Sequence, residues 1–289
     1  MARRCSGPHR YGARPLKRAL IVVAALLAVA AALLGYMSSV ARRDPVVREA
    51  SVPFLPPGSA PVRVLIASDF HVDEPDMPPS RLAGIVQQMN ALEPDLILLA
   101  GDYMSEEARS EQHYTAAQAV APLGALRAPL GVIAVPGNND HGVGIAPFAP
   151  AFARAGITWL RNGHVRRGGL WIVGVDDRYS HHDDWTAAFA GIPETDEVIV
   201  LTHGPDLIPR LPPRAQIVAA GHTHCGQVVF PLIGALSYES NYGDRYDCGH
   251  LKENGRDIFI GAGLGTSMAP LRLGAVPDMW LVTLTPKPE

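Results

Sequence analysis

From residue 62 onward, short apolar runs alternate with polar stretches rich in glycine, asparagine and aspartate. Val62–Ala67 is a β-branched run of strand length, and 95–100 and 131–135 repeat it. Leu82, Ile85, Val86 and Met89 recur at helical spacing, which predicts a helix capped by Ser80, running to about Leu92 and stopped by Glu93-Pro94. A second helical stretch is predicted over His113–Leu126. Strand, polar stretch, helix, three times over, is the pattern of an α/β domain with parallel strands and right-handed crossovers. Later strands are predicted at 157–160, 170–175, 198–202, 217–219, 227–230, 257–261 and 279–284, with fewer helices between them. Two mixed sheets packed face to face, with helices outside, account for that count.

The N-terminal pattern is different. Ala19–Ala41 carries no charge and is apolar over most of its length, and about 20 such residues cross a bilayer. Arg3, Arg4, Arg10, Arg14, Lys17 and Arg18 precede it. The positive-inside rule therefore makes 1–18 a basic cytoplasmic tail and 19–41 a single-pass anchor in the cell or inner membrane, with the large domain outside the cytoplasm. Ser39-Val40-Ala41 is small-x-small, so the alternative is a cleaved signal peptide and a secreted or periplasmic domain. Residues 42–60 hold Pro45, Pro53, Pro56, Pro57, Gly58 and Ser59 and read as a semi-rigid linker to a single domain over 61–289.

Charge sharpens this division. The tail carries six positive charges and 42–60 one net positive charge, so the total of −3 leaves −10 for 61–289. An acidic domain argues against nucleic acid as partner. The three cysteines are too few for a disulfide framework, although Cys225 could bridge Cys248 in an oxidising compartment.

Five polar stretches end apolar runs and carry hard oxygen or imidazole groups: Ser68-Asp69-Phe70-His71, Gly101-Asp102, Gly137-Asn138-Asn139-Asp140, Thr202-His203 and Gly221-His222-Thr223-His224. Carboxylate ends of strands are where α/β sheets keep their ligands. Each stretch alone is as well explained as a turn, a cap or a core histidine. Together they offer seven metal ligands: Asp69, His71, Asp102, Asn138, His203, His222 and His224. Carboxylate, amide oxygen and imidazole suit Mn, Fe, Zn or Mg, and two nearby ions need about eight to ten ligands. His181-His182-Asp183-Asp184 reads instead as a solvated loop and helix start.

In this order the motifs Asp69-x-His71, Gly101-Asp102, Gly137-Asn138, His203 and Gly221-His222-x-His224 resemble those of the calcineurin-like metallophosphoesterases, across essentially all of 61–289. Gly221–Gln227, Gly263–Ser267 and Leu271–Gly274 resemble the membrane-associated or exported bacterial branch, which includes UDP-diacylglucosamine pyrophosphohydrolases of lipid A synthesis. The resemblance implies a four-layer α-β-β-α sandwich and a phosphoester hydrolase with two divalent ions. It places Asp69, His71 and His224 on one ion, Asn138, His203 and His222 on the other, and Asp102 between them. A metal-activated hydroxide would attack phosphorus in line. The expected substrate is a phosphorylated small molecule or lipid.

Many members of that family have histidine after the motif asparagine; here it is Asn139. Asparagine donates hydrogen bonds but is no general acid, which turns the expectation towards phosphodiesters or pyrophosphates. His141 could substitute, and Arg272 could bind a substrate phosphate or be an ordinary surface arginine. The aromatic loop Tyr238–Tyr246 is a candidate substrate rim. Two other functions remain: a lipid-linked pyrophosphohydrolase, or a silent metal-binding module tethered to the membrane.

Overall fold

A computed structural model of the chain describes residues 13–106 and 114–288. Residues 1–12 of the basic tail and His113, where the second helix was expected to start, lie outside them. The first half of the chain supplies β1 (Val46–Leu55), β2 (Val62–Ala67), β3 (Leu96–Ala100), β4 (Val132–Val135) and β5 (Thr158–Trp159). The second supplies β6 (Gly163–Arg167), β7 (Leu170–Gly174), β8 (Val198–Leu201), β9 (Ala215–Ala220), β10 (Val229–Phe230), β11 (Gly234–Ala235), β12 (Gly249–Glu253), β13 (Arg256–Ile260) and β14 (Asp278–Pro286).

One six-stranded sheet has the order β1-β14-β2-β3-β4-β5, the other β12-β13-β9-β8-β7-β6, and β10 and β11 form a separate hairpin. Both sheets are mixed. β2, β3, β4 and β5 are parallel, and β14 is antiparallel to β2. β7, β8, β9 and β13 are parallel, and β6 and β12 are antiparallel edges.

Three apolar layers hold four layers of structure together. Between the sheets, Ile66, Leu98 and Ile133 meet Ile172, Leu201 and Phe259. Outside the first sheet, Leu65, Ile97 and Ala134 pack under α2 (Pro79–Ala91), α3 (Ala116–Val120) and α5 (Phe148–Arg154), and the short helix α4 (Asn138–Gly142) follows β4. Outside the second, Val173, Val200 and Val218 pack with Ala188 and Phe189 of α6 (Trp185–Phe189) and with Tyr246. This is the expected α-β-β-α sandwich, preceded by the apolar helix α1 (Ala13–Ala41).

Several local expectations need correction. The proline-rich stretch 42–60 is not a free linker, because Val46–Leu55 adds β1 to the first sheet, parallel to β14. Proline is tolerated on an edge strand, where an outward N–H has no partner to lose, and the register shifts between Pro53 and Leu55. Residues 42–45 are tied down as well: Arg81 donates to the Arg43 carbonyl at 2.7 Å and Gln88 to that of Pro45 at 3.1 Å. Helix α2 opens on Pro79 at its first turn, without a side-chain cap from Ser80. The stretch expected as one helix to Leu126 is five residues of α-helix, boxed by Thr115 and Gln118, then a 3₁₀ turn over Ala121–Ala125. The half-buried edge strands β6 and β12 escaped the apolar-run rule.

Candidate metal centre

The five polar stretches leave the carboxyl ends of β2, β3, β4, β8 and β9. Their backbones are joined directly. The Asp69 and His71 amides donate to the carbonyls of Gly101 and Asp102 at 3.0 Å, and the Gly221 amide to that of His203 at 2.9 Å. Asp69, His71, Asp102, His222 and His224 all have φ between 43° and 73°. That left-handed region is costly for residues with a Cβ, and such strain persists where surrounding structure over-determines it. Two glycines make the approach feasible: a Cβ on Gly137 would overlap the Asp102 carboxylate, and one on Gly221 that of Asp69.

The result is one compact cluster. His71 Nε2 faces His224 Nε2 at 3.0 Å, and His222 Nδ1 faces His203 Nε2 at 3.2 Å. Asp102 Oδ2 lies 3.5 Å from His71 Nε2 and 3.3 Å from His203 Nε2, between the two imidazole pairs. Asp69 Oδ1 is 3.4 Å from His224 Nε2 and 4.0 Å from both His71 and His203. Asn138 Oδ1 reaches His203 Nε2 at 3.1 Å. Two overlapping donor groups result, Asp69-His71-His224 and Asp69-Asp102-His203.

The donors fit divalent cations. Ring nitrogens that face each other as lone pairs repel unless a positive charge stands between them, and the buried His222 Nε2 has no hydrogen-bond partner among the described residues. The oxygen and imidazole mixture suits first-row divalent ions or Mg. Burial, reinforced by His71 and Arg272, holds His224 well below the usual imidazole range; burial and then His203 lower His222. Both are thus kept neutral, the form a cation needs. Burial raises Asp69. For Asp102 burial acts upward too, but His203 and His71 outweigh it and hold the carboxylate ionised.

Among the other expected residues, Asn139 does not point freely at a leaving group. Its amide nitrogen donates to Asp102 Oδ2 at 2.7 Å, its backbone to Asp102 Oδ1 at 2.9 Å, and its Oδ1 accepts from the Glu106 amide at 2.9 Å. Asp140, pushed up to about 8 by burial and then by Asp102, accepts backbone N–H bonds from Asp102, Tyr103 and Gly137. His141 is turned to Asp176 at 2.7 Å and stacks on His182, so it does not stand in as proton donor. Arg272 is neither a surface residue nor a phosphate ligand: it is fully buried and donates to the carbonyls of Ala262, Gly263 and Gly265. Cys225 and Cys248 form a disulfide, Cα to Cα 4.7 Å, next to His224. Asp184 caps α6, as a helix start should. In the aromatic loop, Asn241 is held by Asp206 and Tyr246 by Glu253.

A cavity of about 510 Å³ opens over Asp102, Asn138, Asn139, His222 and His224. Glu106, Tyr179, Leu236, Glu239 and Met268 also line it. Glu239 belongs to the aromatic loop expected as a substrate rim, whereas Glu106, Tyr179, Leu236 and Met268 were missed, since loop residues without a metal-ligand pattern leave no signal. Asp176-Asp177 were missed too, although they follow the apolar end of β7 just as Asp69 follows β2.

Two stacked sheets with oxygen and imidazole donors at their strand ends define a metal-dependent hydrolase. The family profile for calcineurin-like phosphoesterases matches residues 62–226. The chain belongs to that family and is an enzyme that hydrolyses phosphoester bonds with a divalent metal. It is 29% identical over 240 residues to an uncharacterized metallophosphoesterase, YkuE, of Bacillus subtilis, covering 80% of this chain and 81% of that one. It is 27% identical over 272 residues to a transmembrane protein with a metallophosphoesterase domain from Bos taurus, covering 86% of this chain and 59% of the bovine protein. An archaeal phosphodiesterase of known structure aligns at 12% identity with a TM-score of 0.39, over 70% of this chain and 84% of that one.

Proposed function

We propose that Asp69, His71 and His224 hold one divalent ion, that Asn138, His203 and His222 hold a second, and that Asp102 bridges them. The observation carrying this reading is the position of Asp102 Oδ2, within 3.5 Å of an imidazole from each set. Bound ions of this kind supply Lewis acidity and lower the pKa of water. The protein's own contribution is orientation. Asn139 grips both Asp102 oxygens and is a positioning residue, not a proton donor.

That assignment narrows the substrate. With no acid at 139 and His141 committed to Asp176, the leaving oxygen must depart with little protonation. The described cavity wall contains no lysine or arginine, and it carries Glu106 and Glu239. A doubly charged monoester is repelled there more than a singly charged diester. The substrate class is therefore a phosphodiester or a pyrophosphate esterified at both ends, in which each phosphoryl group carries a single negative charge. The domain is carried outside the cytoplasm on α1, and the Cys225–Cys248 bridge agrees with an oxidising compartment.

Emission spectrometry on the purified full chain, with rates on bis-p-nitrophenyl phosphate, tests the reading. The expected result is about two metal ions per chain and diester hydrolysis lost to a chelator. One ion per chain, or a metal-loaded protein inert towards diesters and pyrophosphates, would refute it.

A further inference from the structure

The cavity's rim is apolar where solvent would favour polar residues. On the β10–β11 hairpin, Leu232 is fully exposed, Ile233 is 78% and Leu236 69% exposed, and Met268 across the mouth is 74% exposed. Leu236 and Met268 line the cavity itself. Leu232 also has φ of 70°. A hairpin turn at that angle ordinarily takes glycine or asparagine. A leucine there bears a backbone cost and makes no packing contribution in return, so folding does not explain it.

The same rim is joined to the membrane-spanning helix. Leu273 pairs with the root of the hairpin: its amide donates to the Gln227 carbonyl at 3.0 Å and its carbonyl accepts from Val229 at 2.7 Å. The preceding residue, Arg272, donates its backbone N–H to the Met37 carbonyl of α1 at 3.1 Å. Gln227 Nε2 donates to the Ser267 carbonyl beside Met268 at 2.8 Å. Met37, Val40 and Ala41 are buried against the domain, whereas residues 17–36 of α1 are exposed. Tyr36, with the Arg43 guanidinium 5.8 Å from its ring centroid, marks the level at which an apolar helix meets lipid headgroups. The hairpin tip is three residues from Val229, about 10 Å of chain at strand rise.

We infer that the tip Leu232-Ile233, with Leu236 and Met268, rests in the headgroup–acyl boundary of the membrane that α1 spans, and holds the mouth of the metal site against it. Isolated apolar side chains in this arrangement are those of an interfacial anchor. The metal site then takes phosphodiesters or pyrophosphates borne on lipids, drawn in headgroup first. This rests on the phosphoesterase reading for the reaction, and on α1 crossing the bilayer for the placement.

The full chain in nanodiscs of phosphatidylcholine and phosphatidylglycerol tests it. In Leu232→Trp, an emission component absent from the wild type should be quenched when brominated phosphatidylcholine is used, while the new emission of Arg127→Trp, exposed before the amino end of β4 and so at the opposite end of the strands from the site, should not be. Absence of quenching in Leu232→Trp overturns the inference, including the case where the rim is covered by a protein partner or a second copy. The double variant Leu232→Ser with Ile233→Ser should keep its rate on bis-p-nitrophenyl phosphate. It should lose about tenfold or more on diesters and pyrophosphates of lipids in the disc. Equal rates for variant and wild type on those lipids overturn the substrate assignment. If the metal-loaded wild type hydrolyses neither kind of ester, the phosphoesterase reading fails, and the quenching still reports separately on the lipid contact.

Discussion

The two sheets contribute unlike chemistry to the same centre. Ends of the first provide Asp69, His71, Asp102 and Asn138, three oxygen donors and one imidazole. Ends of the second provide His203, His222 and His224, imidazoles alone. Asp177, the carboxylate after β7 on the second sheet, stays outside the cluster, its Oδ1 without a hydrogen-bond partner among the described residues. Carboxylate oxygen is thus concentrated on one sheet and imidazole nitrogen on the other, and a cation would complete both at once. Metal binding then links the two halves of the sandwich, and its free energy adds to folding.

The sharpest way to break this asymmetry is Asp102→Ala. It removes the oxygen lying between imidazoles of both sheets. Hydrolysis of bis-p-nitrophenyl phosphate is expected to fall about a thousandfold, on the order of 4 kcal/mol of transition-state stabilisation. His224→Ala should leave one ion in place; metal analysis of the two variants separates them. A smaller effect is expected of Asn139→Ala, which leaves every ligand but releases Asp102. Loss of such an orienting partner costs about 10- to 100-fold in metal affinity, read by chelator competition. The mildest probe is acid. Burial lowers His222 and His224, so they remain neutral below the ordinary imidazole pKa. Burial also acts to lower His203, but Asp102 and Asp69 outweigh it and raise it, so proton competition starts there. Affinity should fall as pH drops, about tenfold per unit for each proton displaced, and a pH series of metal titrations shows whether the imidazole sheet fails first.

The asymmetry also explains what could be read in advance. The central parallel strands are uniformly apolar and end abruptly in polar or imidazole residues, so the strands, and the oxygen and imidazole residues that the fold brings together at their ends, were legible. Edge strands are not: β1, β6 and β12 mix exposed and half-buried positions, and β1 carries Pro53. Arg272 was misjudged because sequence does not show that a cation sits among orphaned carbonyls. Asn139 was legible as a departure, yet its partner, a carboxylate 37 positions away, emerges only when β3 and β4 pair.

The last turn of α1 is sealed against the domain at Met37, Val40 and Ala41, and only four residues separate it from β1. An enzyme on a flexible tether sweeps a volume and can reach neighbouring surfaces. This one has no such radius. With α1 in a bilayer, as proposed above, the catalytic mouth would stay at a constant height and heading, encounters would reduce to lateral diffusion within one leaflet, and turnover would follow the surface density of the substrate, not the bulk concentration.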